Sequence, residues 1–407
     1  MREFISVIVA FLSIPLLNKK NIPIGIAICF CAILMAFLGG LGFMDIKDVF
    51  IDTFFDIAKV QRYLILIEIG ILGVLFSKYN VIDDVIRYST QVIRSRRMVL
   101  MFIPALVGLL SIPGGAIISI PFIDRLGKES DLTNNQKAII NLIYRHIAMH
   151  IMPYSTGFLV VTSLAPQIST YKLIGLNSIF VIEYLVLGYF LYISKVRDSK
   201  TLPPDPKLIM PSLLKLFIYT SPVYLAVLLN IFFKIPFYIG MLANLLMIFL
   251  IRRKNSFLID VIKAFNIRVL LALIGVYLIQ GVISKMGSIT ELLILIFNNP
   301  QTIMVGIIVT AFFFGITTGF QPTALGVVLP ILTTLPISEN RLLLYSHYTF
   351  VWSFIGYFFS PLHLCQLFTC EYLNISTMDL YKDYWKFFLY LVIVLTMSYL
   401  FMAMWLK

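Results

Sequence analysis

The sequence predicts an all-α polytopic membrane protein built from two inverted-topology repeats, each of about five spanning helices plus a re-entrant hairpin and a broken helix. Three observations carry this. Of the 407 residues, 60% are apolar and only 13% charged, with a mean hydropathy of +0.94. Water-soluble chains hold roughly 25% charged and about 45–50% apolar residues, so most of this chain is solvated by lipid. The apolar residues are gathered into successive runs, split by one polar, proline-rich stretch. Motifs of the first series of runs recur, in order, in the second.

The first run, Phe4 to Leu17, follows Met1-Arg2-Glu3 and resembles the core of a signal peptide. It lacks a small-x-small cleavage site, and Asn18-Lys19-Lys20-Asn21 leads directly into another run, so a retained helix is expected. Runs follow at Ile22 to Phe43, Tyr63 to Phe76, Met98 to Phe122, Ala138 to Ala165 and Leu173 to Ile193. Each suits a span of about 20 residues or a short or broken one. Met98 to Ile123 reads as a re-entrant hairpin, because Pro113-Gly114-Gly115 interrupts it at mid-run. The stretch beginning Ser194-Lys195-Val196-Arg197-Asp198 and containing Pro203-Pro204-Asp205-Pro206 cannot stay in hydrocarbon. It makes residues 195–211 a linker between an N-terminal repeat, 1–194, and a C-terminal repeat, 212–407. The second series runs Leu213 to Phe233, Ile235 to Ile251, Val269 to Ile283, Ile303 to Pro330, Leu342 to Phe368 and Tyr384 to Leu406, with Gln301 to Ile331 as the matching hairpin.

The recurrences are specific. Lys20-Asn21-Ile22-Pro23 is matched by Phe233-Lys234-Ile235-Pro236, and Ser77-Lys78 by Ser284-Lys285. Pro113 to Pro121 has the proline spacing of Pro322 to Pro330, and Tyr144-Arg145-His146 returns as Tyr345-Ser346-His347. Five spans and a hairpin per half invert the second half relative to the first. Sorting the 32 Lys and Arg by face places 22 with the linker and 9 opposite, leaving Arg145 inside a span. By the positive-inside tendency the linker is cytoplasmic, both termini are outside, and the location is the cell membrane. The net charge of +12 therefore reads as orientation. Nucleic acid is excluded as a partner, since no basic stripe is interleaved with stacking aromatics.

Inverted repeats with interrupted helices are the sequence signature of secondary transporters. Four interruptions stand out: the two hairpin tips, around Pro113-Gly114-Gly115 and around Thr318, Gln321 and Thr323, and two breaks inside the following spans, at Met152-Pro153-Tyr154-Ser155-Thr156-Gly157 and at Phe359-Ser360-Pro361-Leu362-His363. Proline frees a carbonyl, glycine admits a ligand to the backbone, and hydroxyls orient it. Ordinary helix kinks are the alternative. All four histidines, His146, His150, His347 and His363, lie in the two broken spans. Arg145 is the candidate to attract an anion, unless it snorkels to the surface. His146, His150 and His347 are candidates for proton coupling, as is Glu68, which could equally be a neutral hydrogen-bonded acid; Glu183 is a further buried acid. The spacing His146-Ile147-Ala148-Met149-His150 lacks the glutamate of a zinc-protease helix, so no metal ligand set and no enzyme are expected. Cys29, Cys31, Cys365 and Cys370 read as small packing residues.

The Pro113-Gly114-Gly115-Ala116 hairpin, the Asn141-Leu142-Ile143-Tyr144-Arg145-His146 helix leading to Pro153, and Ser360-Pro361-Leu362-His363-Leu364-Cys365 followed by Glu371-Tyr372 resemble the integral membrane family called domain of unknown function 401. That family is similar to the ion transporter superfamily, with its gluconate permeases and divalent-anion symporters. The resemblance implies two inverted repeats whose hairpins and broken helices meet at a central site, and transport of an organic anion or ion. Gly114-Gly115 and Pro322-Thr323 stand where the sodium-dicarboxylate branch has Ser-Asn-Thr signatures, so that branch's sodium ligands are not carried over.

The expected function is secondary active transport of a small, organic acid-like anion by alternating access, driven by an ion gradient. Na+ or H+ is the coupling ion and no cofactor is expected. The partners are the lipid bilayer and the anion, with a homodimer left open. An ion channel and an intramembrane metal-dependent enzyme are the alternatives.

Overall fold

The computed structural model describes residues 2–20, 22–93, 95–109, 116–197, 206–288, 291 and 302–405. Among the described residues the regular structure is helical, with no strand. In the first half the order is α1 (Arg2–Lys19), α2 (Ile24–Gly39), α3 (Phe43–Phe55), α4 (Ile57–Lys78), α5 (Val81–Val92), α6 (Arg96–Gly108), α7 (Ala116–Lys128), α8 (Asn134–Arg145), α9 (Ala148–Ile151), α10 (Thr156–Leu164) and α11 (Thr170–Gly188), which runs on as a π turn to Ile193. In the second half it is α12 (Pro206–Phe233), α13 (Phe237–Arg252), α14 (Phe257–Lys263), α15 (Ile267–Ser284), α16 (Ile303–Thr318), α17 (Gln321–Leu332), α18 (Glu339–Phe358), α19 (Leu364–Leu373) and α20 (Thr377–Trp405). Five stretches are long and apolar enough to cross a membrane: Ile57–Lys78, Asn134–Leu164, Thr170–Ile193, Lys207–Phe233 and Thr377–Met404. The chain is an all-α polytopic membrane protein.

The distribution of side chains agrees. Phe37, Phe232, Leu258 and Ile262 are each more than 70% exposed, whereas Ser346, His347, Thr349 and Ser353 are wholly buried on one helix, α18. In lipid, apolar groups face out and polar groups find partners within the protein.

One expected span divides. The run Ile22 to Phe43 yields a 16-residue α2, because Gly40 takes a left-handed φ of 81° and returns its N–H to the carbonyls of Ala36 and Phe37. A β-carbon there would lie 2.5 Å from the Arg2 guanidinium, which is itself anchored by Nε donating to Leu38 O. The chain then starts the separate α3.

Packing between the halves is reciprocal. α2 lies on α15 while α13 lies on α4; α1 pairs with α2 as α12 pairs with α13. α6 and α7 flank α8 as α16 and α17 flank α18. The segments after the breaks cross over, α10 onto α17 and α19 onto α7. The α16–α18 crossing is a backbone contact. A β-carbon on Gly315 would lie 2.5 Å from Ser353 O, and one on Gly356 would lie 2.4 Å from Phe312 O, so only glycine admits this approach.

The polar contacts gather at two ends. At one, Lys78 Nζ and Tyr79 Oη meet Asp260 at 2.6 and 2.8 Å, Arg252 pairs with Asp84, Arg96 with Glu129, Lys137 with Asp124, and Arg97 donates to Val196 O. At the other, Lys59 pairs with Asp52, Lys172 with Glu339, and Lys285 with Asp48.

Candidate functional site

α8 begins with a capping box, in which Thr133 Oγ1 accepts from Gln136 N and Gln136 Oε1 accepts from Thr133 N. It ends at Arg145, whose carbonyl lies where a β-carbon on Gly108 would stand, 1.9 Å away. α6 is thus in backbone contact with the end of α8. One turn of α9 follows, then the extended Met152 and a turn at Pro153-Tyr154. Ser155 Oγ donates back to Met149 O at 3.0 Å and Tyr154 Oη to Val223 O at 2.7 Å, which fixes the interruption on both sides.

The second break is pinned in a similar way. Past α18, Ser360 Oγ donates to Ile316 O at 2.6 Å and accepts from Leu362 N at 3.1 Å, while Tyr381 Oη donates to Phe359 O. The tip of the second hairpin rests on this segment. Gly319 has φ 59°, and a β-carbon on it would lie 2.7 Å from the Leu362 side chain.

Two junctions result. At the first, the N-terminus of α10 meets that of α17. Neither helix has a side-chain cap on its first-turn amides. Gln321 Nε2 donates to Phe350 O at 2.9 Å, and its Oε1 would be 3.2 Å from a β-carbon on Gly157. Gln321 Oε1 and Thr323 Oγ1 are buried without a hydrogen-bond partner among the described residues. A cleft of about 300 Å³, lined by Gln61, Arg62, Pro153, Thr162, Tyr171 and Asn230 among others, reaches the interruption before α10.

At the second junction His146, at the end of α8, meets His363, at the start of α19, with their Nε2 atoms 3.1 Å apart. Cys365 lies beside both rings. The donor atoms of these three residues lie within 4.8 Å of one another, and all three residues are buried. Tyr357 Oη is 3.4 Å from His146 Nε2, and Arg145, 4% exposed, acts electrostatically on Cys365 and Tyr357. Arg145 therefore belongs to the core and does not reach the surface.

Several expected site residues are engaged elsewhere. Thr318 Oγ1 donates to Phe314 O and accepts from Phe320 N, so it caps the hairpin tip, as Ser360 ties the break to α16. Thr156 opens α10. α8 ends between His146 and His150; both rings pack on Phe354, and that of His150 sits among Phe180, Phe350 and Phe354, with neither nitrogen partnered among the described residues. His347 Nδ1 is 2.7 Å from Asn177 Oδ1, away from His146. Glu68 is buried on α4 and Glu183 half-buried on α11. Pro113, Gly114 and Gly115 lie outside the described residues. Sequence reasoning missed Cys365 and Tyr357. The signal for the first was present in His363-Leu364-Cys365 beside a helix break.

The family model for a protein of unknown function, DUF401, matches residues 3–404, and the chain belongs to that family. No curated protein matches the chain.

Proposed function

We propose that this protein is a secondary active transporter that moves a small, organic acid-like anion across the cell membrane by alternating access, with the linker cytoplasmic and the two halves related as inverted repeats. The observation that carries the reading is the α10–α17 junction, where two helix N-termini without side-chain caps face each other beside the buried, unpartnered Thr323 hydroxyl, which can donate. The first-turn amides of α10 and the positive ends of the two helix dipoles favour a carboxylate. Interrupted helices meeting at mid-membrane are the usual place for such a site. The cleft at Pro153 supplies access from one side. Arg145 adds a buried positive charge to the core. His150, one turn before Ser155, and Glu68 are the groups suited to coupling.

The test is uptake of radiolabelled small carboxylates into proteoliposomes under an imposed proton or sodium gradient. Saturable uptake with counterflow is expected, reduced at least about tenfold by Gln321→Leu. Currents without saturation or counterflow would identify a channel and end the transporter reading. An unchanged pH profile in His150→Gln would remove that histidine from coupling.

A further inference from the structure

His146 and His363 present a problem of protons. His146 Nδ1 lies 2.6 Å from Leu142 O, and His363 Nδ1 lies 3.2 Å from Phe358 O. A carbonyl oxygen only accepts, so in each ring Nδ1 carries the hydrogen. In two neutral imidazoles this leaves both Nε2 atoms as lone pairs, and these face each other at 3.1 Å. Two acceptors at that distance repel unless something positive stands between them. Cys365 has its Sγ within 4.8 Å of both histidine donor atoms, but a thiol has one proton and serves one nitrogen at a time. The hydroxyl of Tyr357 approaches only the His146 nitrogen, at 3.4 Å.

We propose that His146 Nε2, His363 Nε2 and Cys365 Sγ form a three-coordinate site for one Cu(I) ion. A metal ion satisfies all three donors at once, whereas a proton satisfies two. Imidazole nitrogens bind such ions at roughly 2.0–2.1 Å, which sets a pair of them about 3.3–3.6 Å apart, so the present contact opens by a few tenths of an ångström. The surroundings are those of a ligand pair. Metal-binding histidines commonly donate the second ring nitrogen to a backbone carbonyl, which fixes tautomer and orientation, and both rings do so here.

The choice of ion follows from softness and charge. A thiolate with two imidazoles suits a soft ion, and the cluster contains no carboxylate that would favour a hard one. Zinc in structural sites takes four ligands. The site is buried beside the Arg145 guanidinium, and charge inside a membrane is costly. With the thiolate and Arg145 counted together, Cu(I) leaves one net positive charge and Zn(II) leaves two. The site also joins the end of α8 to the start of α19, so the bound ion ties the two halves together.

The proposal is independent of transport, and its test requires none. The purified full-length protein is titrated anaerobically with Cu(I) in competition with bathocuproine disulfonate, and its X-ray absorption spectrum is recorded. One Cu(I) per chain, with one sulfur and two nitrogen neighbours, is expected. Cys365→Ser and His363→Gln each weaken binding more than about tenfold, while Cys370→Ser, altering a buried thiol outside the cluster, leaves it unchanged. Size-exclusion profiles of the copper-free variants separate a lost site from a lost fold. Should both variants aggregate, the spectrum of the unaltered protein decides. No stoichiometric Cu(I), binding that survives in well-folded Cys365→Ser and His363→Gln, or tighter binding of Zn(II) than of Cu(I) overturns the proposal.

Discussion

Where α10 meets α17, the groups brought together are two helix N-termini, a glycine, an amide and a hydroxyl; where α19 meets α8, they are two imidazoles, a thiol and a phenol, with a guanidinium at hand. The backbone arrangement is shared, since each segment following a break crosses to the hairpin of the other half. The chemistry is not. One junction gathers two helix N-termini and neutral oxygens, and the other presents imidazole lone pairs to one another. A similar packing of helices thus carries different side chains at its two junctions.

The largest expected effect comes from breaking the scaffold itself. Gly356→Val places atoms inside the α16–α18 backbone contact, and Gly108→Val does the same where α6 meets the Arg145 carbonyl. Neither neighbour is a flexible side chain, so relief requires the helices to separate. A loss of about 3 kcal/mol or more, or failure to recover folded protein, is expected for each, as read by thermal unfolding in detergent. If one half tolerates the change and the other does not, the two scaffolds are less alike than their packing indicates. The next largest effect separates the junctions. Gln321→Leu should lower carboxylate uptake at least about tenfold and leave Cu(I) stoichiometry unchanged.

Much of the scaffold was legible in the sequence because its determinants are local. Pro153 and Pro361 lie at the two breaks, and Gly319 and Pro322 at the tip of the second hairpin. The pairing across the junction was not legible. The recurrence of Tyr144-Arg145-His146 as Tyr345-Ser346-His347 carries no sign of which histidines meet. Reciprocal packing brings together positions that are not equivalent, so His146 finds His363 while His347 turns to Asn177. Cys365 was read as packing because a thiol in an apolar run carries no sign of its partners, which come from helices far off in sequence. α3, Phe43–Phe55, was not expected, because it falls between the apolar run ending at Phe43 and the one beginning at Tyr63 and carries Asp45, Lys47, Asp48 and Asp52.

The isolation of His347 from the junction can be sharpened at smaller cost. Asn177→Leu removes the acceptor 2.7 Å from His347 Nδ1. Interhelical hydrogen bonds in membrane proteins average about 0.6 kcal/mol and reach about 1.7, so a destabilisation in that range is expected by thermal unfolding. Cu(I) binding should be unaffected, because this bond is not part of the cluster. A loss of copper in this variant would mean that the histidines act as one network and that the division into junctions is wrong.

The smallest effect concerns the two polar ends. Hydrogen bonds from Lys78, Tyr79 and Ser256 hold the Asp260 carboxyl down at about 2, below its ordinary value of 3.8. The group binds protons more readily in the unfolded chain than in the folded one. Its contribution is therefore complete above the unfolded value and is lost as pH falls from about 4 to about 2. At the opposite end Lys285 meets Asp45 and Asp48 with both acids substantially exposed, where screening leaves little to lose. Asp260→Asn should flatten the acid limb of a melting-temperature profile between pH 2 and 5, whereas Asp48→Asn should leave it nearly unchanged. Equal profiles for the two variants would show that Asp260, although anchored by both a lysine and a phenol, is solvated as freely as its counterparts across the membrane.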